Sequence, residues 1–280
     1  MTLLIMEYGG IDLYRLLIVT KDPKVENVFA SIEGWEAMGY KPPRIRHSAE
    51  DAIECMHKHH IDAIAMDDDA EFASVDASVD AFLDEKYPSI PIFQVEENAE
   101  KQLAVLAELY QLLTQMHADH SNDDYGEEYY FNLARERWMK KLISGLVSSR
   151  ENVLAHHRLF RCRESVEAPC VYARLSVPSG DAFLSGRWHY GSERLEIGLR
   201  NFFGSDHEKM TVHVAVFSPE EVRVLACPKE SDGDMSFGAA QVLSFIEETI
   251  DQIEHYLGLK MNVIDICKLE DMTAFAGGQG

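Results

Sequence analysis

Between Leu13 and about His117 short apolar runs alternate with amphipathic segments, and this alternation limits the folds open to the chain more than any other feature. LYRLLIV, Leu13 to Val19, is short, β-branched toward its end and stopped by Thr20, Lys21, Asp22 and Pro23, so it reads as a buried strand. Pro23 suits the first turn of a helix capped by Asp22, and the pattern carries that helix through about Met38 to Gly39. Ser48 opens a second helix, SAEDAIECMHKHH, with Glu50 and Asp51 near its positive end. Ile61 to Met66 is a further strand, Val75 to Leu83 a helix, and SIPIFQV from Ser89 a third strand. Such βαβ alternation implies an α/β unit whose parallel sheet is covered by helices on both faces.

AEKQLAVLAELYQLLTQMH, Ala99 to His117, is strongly helical and carries two apolar stripes. Leu103, Leu106, Tyr110 and Leu113 form one, and Val105, Leu109, Leu112 and Met116 the other. One sheet contact needs only one stripe, so the surplus is expected to meet a second chain, in a homodimer built on this helix, with cover by the second domain of the same chain as the competing account. Residues 118–128, ADHSNDDYGEE, are acidic and polar and read as a linker between a first domain, 1–117, and a second, 129–280. The second begins with a helix from Tyr129 to Leu146. There follow a strand CVYARLSV, a helix from Ser192 to Phe203, the hairpin MTVHVAVF-SPEE-VRVLAC, a helix from Phe237 to Leu257 and the strand MNVIDICKL. That β-α-β-β-α-β order predicts a ferredoxin-like α+β domain.

Composition excludes several functions. The 280 residues carry a formal charge of −22, so nonspecific attraction to nucleic acid phosphates is poor and no direct nucleic-acid binding is expected. Five scattered cysteines, odd in number and without a CxxC pair, point to reduced thiols rather than a disulfide framework or a zinc site. No apolar run approaches a membrane span, and MTLLIMEYGG lacks the pattern of a secretory signal, so the expectation is a cytoplasmic protein without a membrane partner.

LYRLLIVTKDP, the helix after it and DAIAMD resemble the first and third strands of a response-regulator receiver domain, a flavodoxin-like fold. The resemblance places Thr20, Lys21 and Asp22 where the family holds magnesium with acidic residues, and Asp67 at the phosphoacceptor position. Val95 and Glu96 stand where the family has a Ser or Thr. The fourth helix and the fifth strand, which carries the phosphate-contacting lysine, are missing from the pattern, so the receiver is truncated. The second half is similar to the middle region of YesN-like, AraC-type response regulators, a diverged relative of the GGDEF cyclase fold. RERWMKKLISGLVSS matches its opening helix and IEHYLGLKMNVIDI its last helix and strand. SPEEV, Ser218 to Val222, lies at the GGDEF position without the glycines, and Leu175 and Ser176 replace the metal carboxylate on the first strand. In that family a DNA-binding helix-turn-helix pair usually follows; the sequence ends at FAGGQG without one.

Phosphoryl transfer to a carboxylate needs Mg²⁺ to neutralise developing charge and a cation and hydroxyl to position it. With Thr20 and Lys21 in place of carboxylates, Asp67 reads as a relic and neither Mg²⁺ nor any other cofactor is expected. An ion pair between Lys21 and Asp67 is a further expectation, and Asp68 and Asp69 read as loop carboxylates. His57 and His60 in HKHH, and the pair His156–His157, read as solvated helix positions rather than metal ligands, and Glu220 and Glu221 as exposed turn residues. Trp138 and Trp188 read as core anchors. The leading expectation is a non-enzymatic regulator of the two-component, response-regulator type, acting in transcription control through protein contacts with a histidine kinase or another regulatory protein. Two alternatives stand beside it: a true response regulator phosphorylated on Asp67, and a small-molecule-binding sensory module.

Overall fold

The computed structural model describes residues 13–66, 73–118, 126–229 and 238–276. The chain divides into two compact units. One holds the described residues up to Ala134 together with Arg158–Arg161, and the other holds Arg135–His157 and the described residues from Cys162 onward. Asp67, Asp68 and Asp69 lie outside the described residues, as does most of the linker.

In the first unit β1 (Leu16–Val19), β2 (Arg44–Arg46), β3 (Ala63–Met66) and β4 (Ile92–Phe93) form a four-stranded parallel sheet in the order β2-β1-β3-β4. Every residue of β1 and β3 is buried, as expected of strands covered on both sides. Leu17, Val19, Ile64 and Met66 face α2 (Ala49–Lys58) and α3 (Ala73–Lys86), where Ala52, Cys55, Met56, Val79 and Leu83 complete one core. The other face meets α1 (Pro23–Ala30) and α4 (Ala99–Met116) through an aromatic chain. Phe29 lies against Trp35 and Phe93, and Tyr40 against Trp35 and Tyr110. The buried Tyr40 hydroxyl donates to the Leu106 carbonyl at 2.7 Å, tying α4 to this layer.

Caps fix the helix starts. Asp22 accepts from the Lys24 N–H at 2.8 Å with Pro23 at the first position, and Ser48 accepts from the Asp51 N–H at 3.1 Å. The expected helix from Pro23 to Met38 is broken. It stops at Ala30, and a single 3₁₀ turn, Trp35–Met38, runs between Gly34 and Gly39, whose φ values of 74° and 86° only glycine adopts at low cost. A Cβ on Gly39 would also overlap the Tyr110 ring.

The surplus stripe on α4 is covered within the chain. Leu106, Leu109, Leu112, Leu113 and Met116 are all buried within a single chain, Val105 and Tyr110 are half-buried, and Leu103 is the one exposed member, at 40 %. No contiguous strip is left in water, so the physical premise for a dimer on this helix falls away.

The second unit joins part of α5 (Glu127–Ile143) and α6 (Arg150–Leu159) to an antiparallel sheet of β5 (Cys170–Ser176), β6 (Met210–Ser218), β7 (Glu221–Pro228) and β8 (Asn262–Leu269), ordered β6-β7-β5-β8. The short helix α7 (Gly180–Phe183), running into a π turn, and α8 (Gly191–Phe203) separate β5 from β6; α9 (Ala239–Leu257) precedes β8. Alternate residues Val171, Ala173, Leu175, Val212, Val214, Val216, Val222, Val224 and Ala226 face α8 and α9 in one core. By the same alternation Cys170, Thr211, His213, Leu225 and Cys227 point to the opposite face. Among the described residues no helix is long and apolar enough to cross a membrane.

Candidate functional site

Three places carry chemistry. The first is the carboxyl edge of the parallel sheet. Thr20 leaves β1 fully buried; its hydroxyl accepts the Asp22 N–H at 2.9 Å and its carbonyl lies 2.9 Å from His47 Nδ1. Asp22 is engaged as the cap of α1 and Lys21 is exposed. Neither Thr20 nor Lys21 supplies a carboxylate, so a cation here would meet at most Asp22 from this segment. After β4, where the sequence lacks a hydroxyl residue, the backbone is held by Gln102 of α4. Its side chain, 0 % exposed, accepts the Glu96 N–H at 2.8 Å and donates to the Gln94 carbonyl at 3.2 Å. Nothing in the sequence pattern singles out Gln102, because a polar residue on a helix is ordinarily solvated.

The second place is at the opposite, amino edge of the same sheet. A cavity of ≈ 390 Å³ is lined by His57, His59, His60, Asp62, His117 and Glu127 among others. Asp62 is buried between the Arg15 N–H at 2.6 Å and His60 Nε2 at 2.9 Å. His57 and His60 are exposed, as HKHH predicts, and no three ligands converge here among the described residues.

The third place lies in the second unit, on the sheet face away from α8 and α9. The chain leaves α6 through Arg161, at φ 49°, and runs past Cys162 to Glu164, which bridges to Lys229 beyond the end of β7. A ring nitrogen of His157, the Cys162 sulfur and a carboxylate oxygen of Glu164 lie within 4.8 Å of one another, all three residues buried. His157 is therefore no solvated helix position; its Nε2 sits 2.7 Å from the Glu164 carbonyl. His213 is hydrogen-bonded to Glu164 Oε1, whereas Oε2 is buried with no hydrogen-bond partner among the described residues. Burial alone would raise the Glu164 carboxyl, but the imidazole of His213, the local backbone and His157 together hold it down at about 2. Thr211, cross-strand neighbour of Cys227, has the second such orphaned buried oxygen. The hydrogen bond between Cys227 and Cys170, burial, and the nearby Glu164 and Cys162 push the Cys227 thiol well above the usual range. None of the five cysteines is in a disulfide.

At the hairpin, Glu221 is not an exposed turn residue: it is partly buried, bound by Arg174 at 3.2 and 3.3 Å and by Arg223 at 2.8 Å. Glu220 is exposed, but the turn that carries it is docked. Its carbonyl accepts the Val177 N–H at 2.8 Å, and a Cβ on Gly180 would overlap the Pro219 carbonyl. Trp138 is a core residue; Trp188 is only half-buried, stacked on Phe183 with its N–H donating to the Gly191 carbonyl. No protein-family model matches the chain, and no curated protein matches it.

Proposed function

We propose that the chain is a phosphorylation-independent regulator of the response-regulator type, in which a truncated flavodoxin-like receiver and a ferredoxin-like unit act in transcription control through protein contacts. The observation that carries the reading is the end of β1: a parallel sheet ordered β2-β1-β3-β4 delivers Thr20, buried and bonded to the backbone, to the edge where a phosphorylatable receiver needs metal carboxylates. The direct passage from β4 into α4, with α4 and α1 on one face, agrees with a receiver that lacks its fourth helix and fifth strand. In the second unit, the chain order β5-α8-β6-β7-α9-β8 with sheet order β6-β7-β5-β8 fits the ferredoxin-like plan, with α7 an extra turn on the first crossover. Nucleotide cyclisation is disfavoured there because Glu221 is neutralised by two arginines and the docked turn leaves no room beside Gly180.

Intact mass after incubation with acetyl phosphate and Mg²⁺ tests the reading. No adduct is expected. A phosphate mass on the wild-type chain that Asp67→Asn abolishes overturns it in favour of the phosphorylatable alternative.

A further inference from the structure

His157, Cys162 and Glu164 converge from two directions. His157 is fixed on the last full turn of α6, and Cys162 and Glu164 follow on the strand-like segment that pairs with Lys229. The Cys162 N–H donates to the His157 carbonyl at 3.0 Å, which folds the chain back over the helix end and brings the two side chains to the same place. The three residue types are the nitrogen, sulfur and oxygen donors that borderline divalent cations select, and hard cations such as Mg²⁺ do not.

We propose that His157, Cys162 and Glu164 bind a transition-metal dication of the zinc class, at a site on the sheet face opposite α8 and α9. Two features beyond residue type support this. Glu164 Oε2 is a buried oxygen with no hydrogen-bond partner among the described residues, and burying an unpaired carboxylate oxygen is costly unless something of positive charge meets it. Both imidazole and carboxylate also have orienting partners of the kind metal ligands use. The Glu164 carbonyl holds His157 Nε2–H, which leaves Nδ1 with the lone pair, and His213 holds Glu164 Oε1, which leaves Oε2 as the carboxylate oxygen still to be met. Donors around tetrahedral zinc stand about 3.5 Å apart, so a separation within 4.8 Å closes by small side-chain rotations. On binding, the Cys162 S–H bond breaks, its proton goes to solvent and the sulfur electron pair forms the bond to the metal; no redox change occurs.

This inference does not depend on the receiver reading, since it uses only residues of the second unit. The test is titration of the chelator-treated full chain with Co²⁺, followed by displacement with Zn²⁺. One equivalent should bind with a near-ultraviolet thiolate-to-cobalt charge-transfer band and intense visible bands of four-coordinate geometry, and Zn²⁺ should erase both. Cys162→Ser should abolish the charge-transfer band. His157→Gln and Glu164→Gln should weaken binding by about tenfold or more, and Cys55→Ser, in the other unit, should change nothing. Urea midpoints of the metal-free variants report whether each folds; should they not, the wild-type spectrum decides alone. Absence of a thiolate band in the wild type, or a band that survives Cys162→Ser or is lost with Cys55→Ser, overturns the proposal.

Discussion

Gln102 and Glu221 show how single polar groups are used once they are taken out of water. Gln102→Ala strands the Glu96 N–H and the Gln94 carbonyl beside α4, so a loss of about 1–3 kcal/mol is expected, read as a lower urea midpoint at unchanged slope. Glu221 has its carboxyl depressed: burial opposes ionisation, but the hydrogen bonds from Arg174 and Arg223 outweigh it. A carboxyl lowered in the folded state contributes stability above its unfolded value, and that contribution disappears as pH falls through the folded value. Wild type should therefore lose stability on acidification below the ordinary carboxylate range more steeply than Glu221→Gln, measured as urea midpoints across that range. Equal slopes would show that the arginine clamp contributes nothing. At Gly180 the constraint is space: Gly180→Ala must displace the Pro219 carbonyl and should cost at least about 1 kcal/mol, visible as a lower melting temperature.

At the level of elements, α4 gives the clearest prediction. Because Leu106 is 1 % exposed inside one chain, Leu106→Glu should unfold the first unit, at a cost of about 3 kcal/mol or more, rather than split a dimer. Circular dichroism would show the loss at every protein concentration; a folded monomer from a dimeric wild type would restore the dimer helix. The same helix shows what its sequence conveys and what it does not. Its bounds and its two stripes follow from local pattern, as do β1, β3, α2, α8 and the hairpin. What covers the second stripe is a tertiary fact with no local signature. The break after Ala30 was hidden because the apolar spacing continues through it while Gly34 and Gly39 change the backbone. α6 escaped for the opposite reason: RENVLAHHRL is too polar to show a stripe, and so the burial of His157 and the company of Cys162 and Glu164 could not be read. Spacings of five and two residues across a helix end match no familiar ligand pattern.

For the whole molecule, the charge of −22 spread over 280 residues implies self-repulsion in the folded state. Raising ionic strength from about 10 mM to about 150 mM shortens the Debye length from about 30 Å to about 8 Å and should raise the melting temperature; a fall would mean that specific ion pairs, not repulsion, dominate. The second sheet carries a different burden. Among the described residues β8 hydrogen-bonds to β5 alone, and its outward face leaves Ile264 53 % exposed, so eight residues form a long open border. A border of this kind is a template on which another extended chain can add, and Asp265 and Lys268 put charge along it while Ile264, the extra residue between Val263 opposite Leu175 and Asp265 opposite Arg174, bulges β8 itself. These two charges then act as gatekeepers against fibrillar growth, a duty independent of the proposed function, and replacing Asp265 with valine would convert the border from guarded to adhesive.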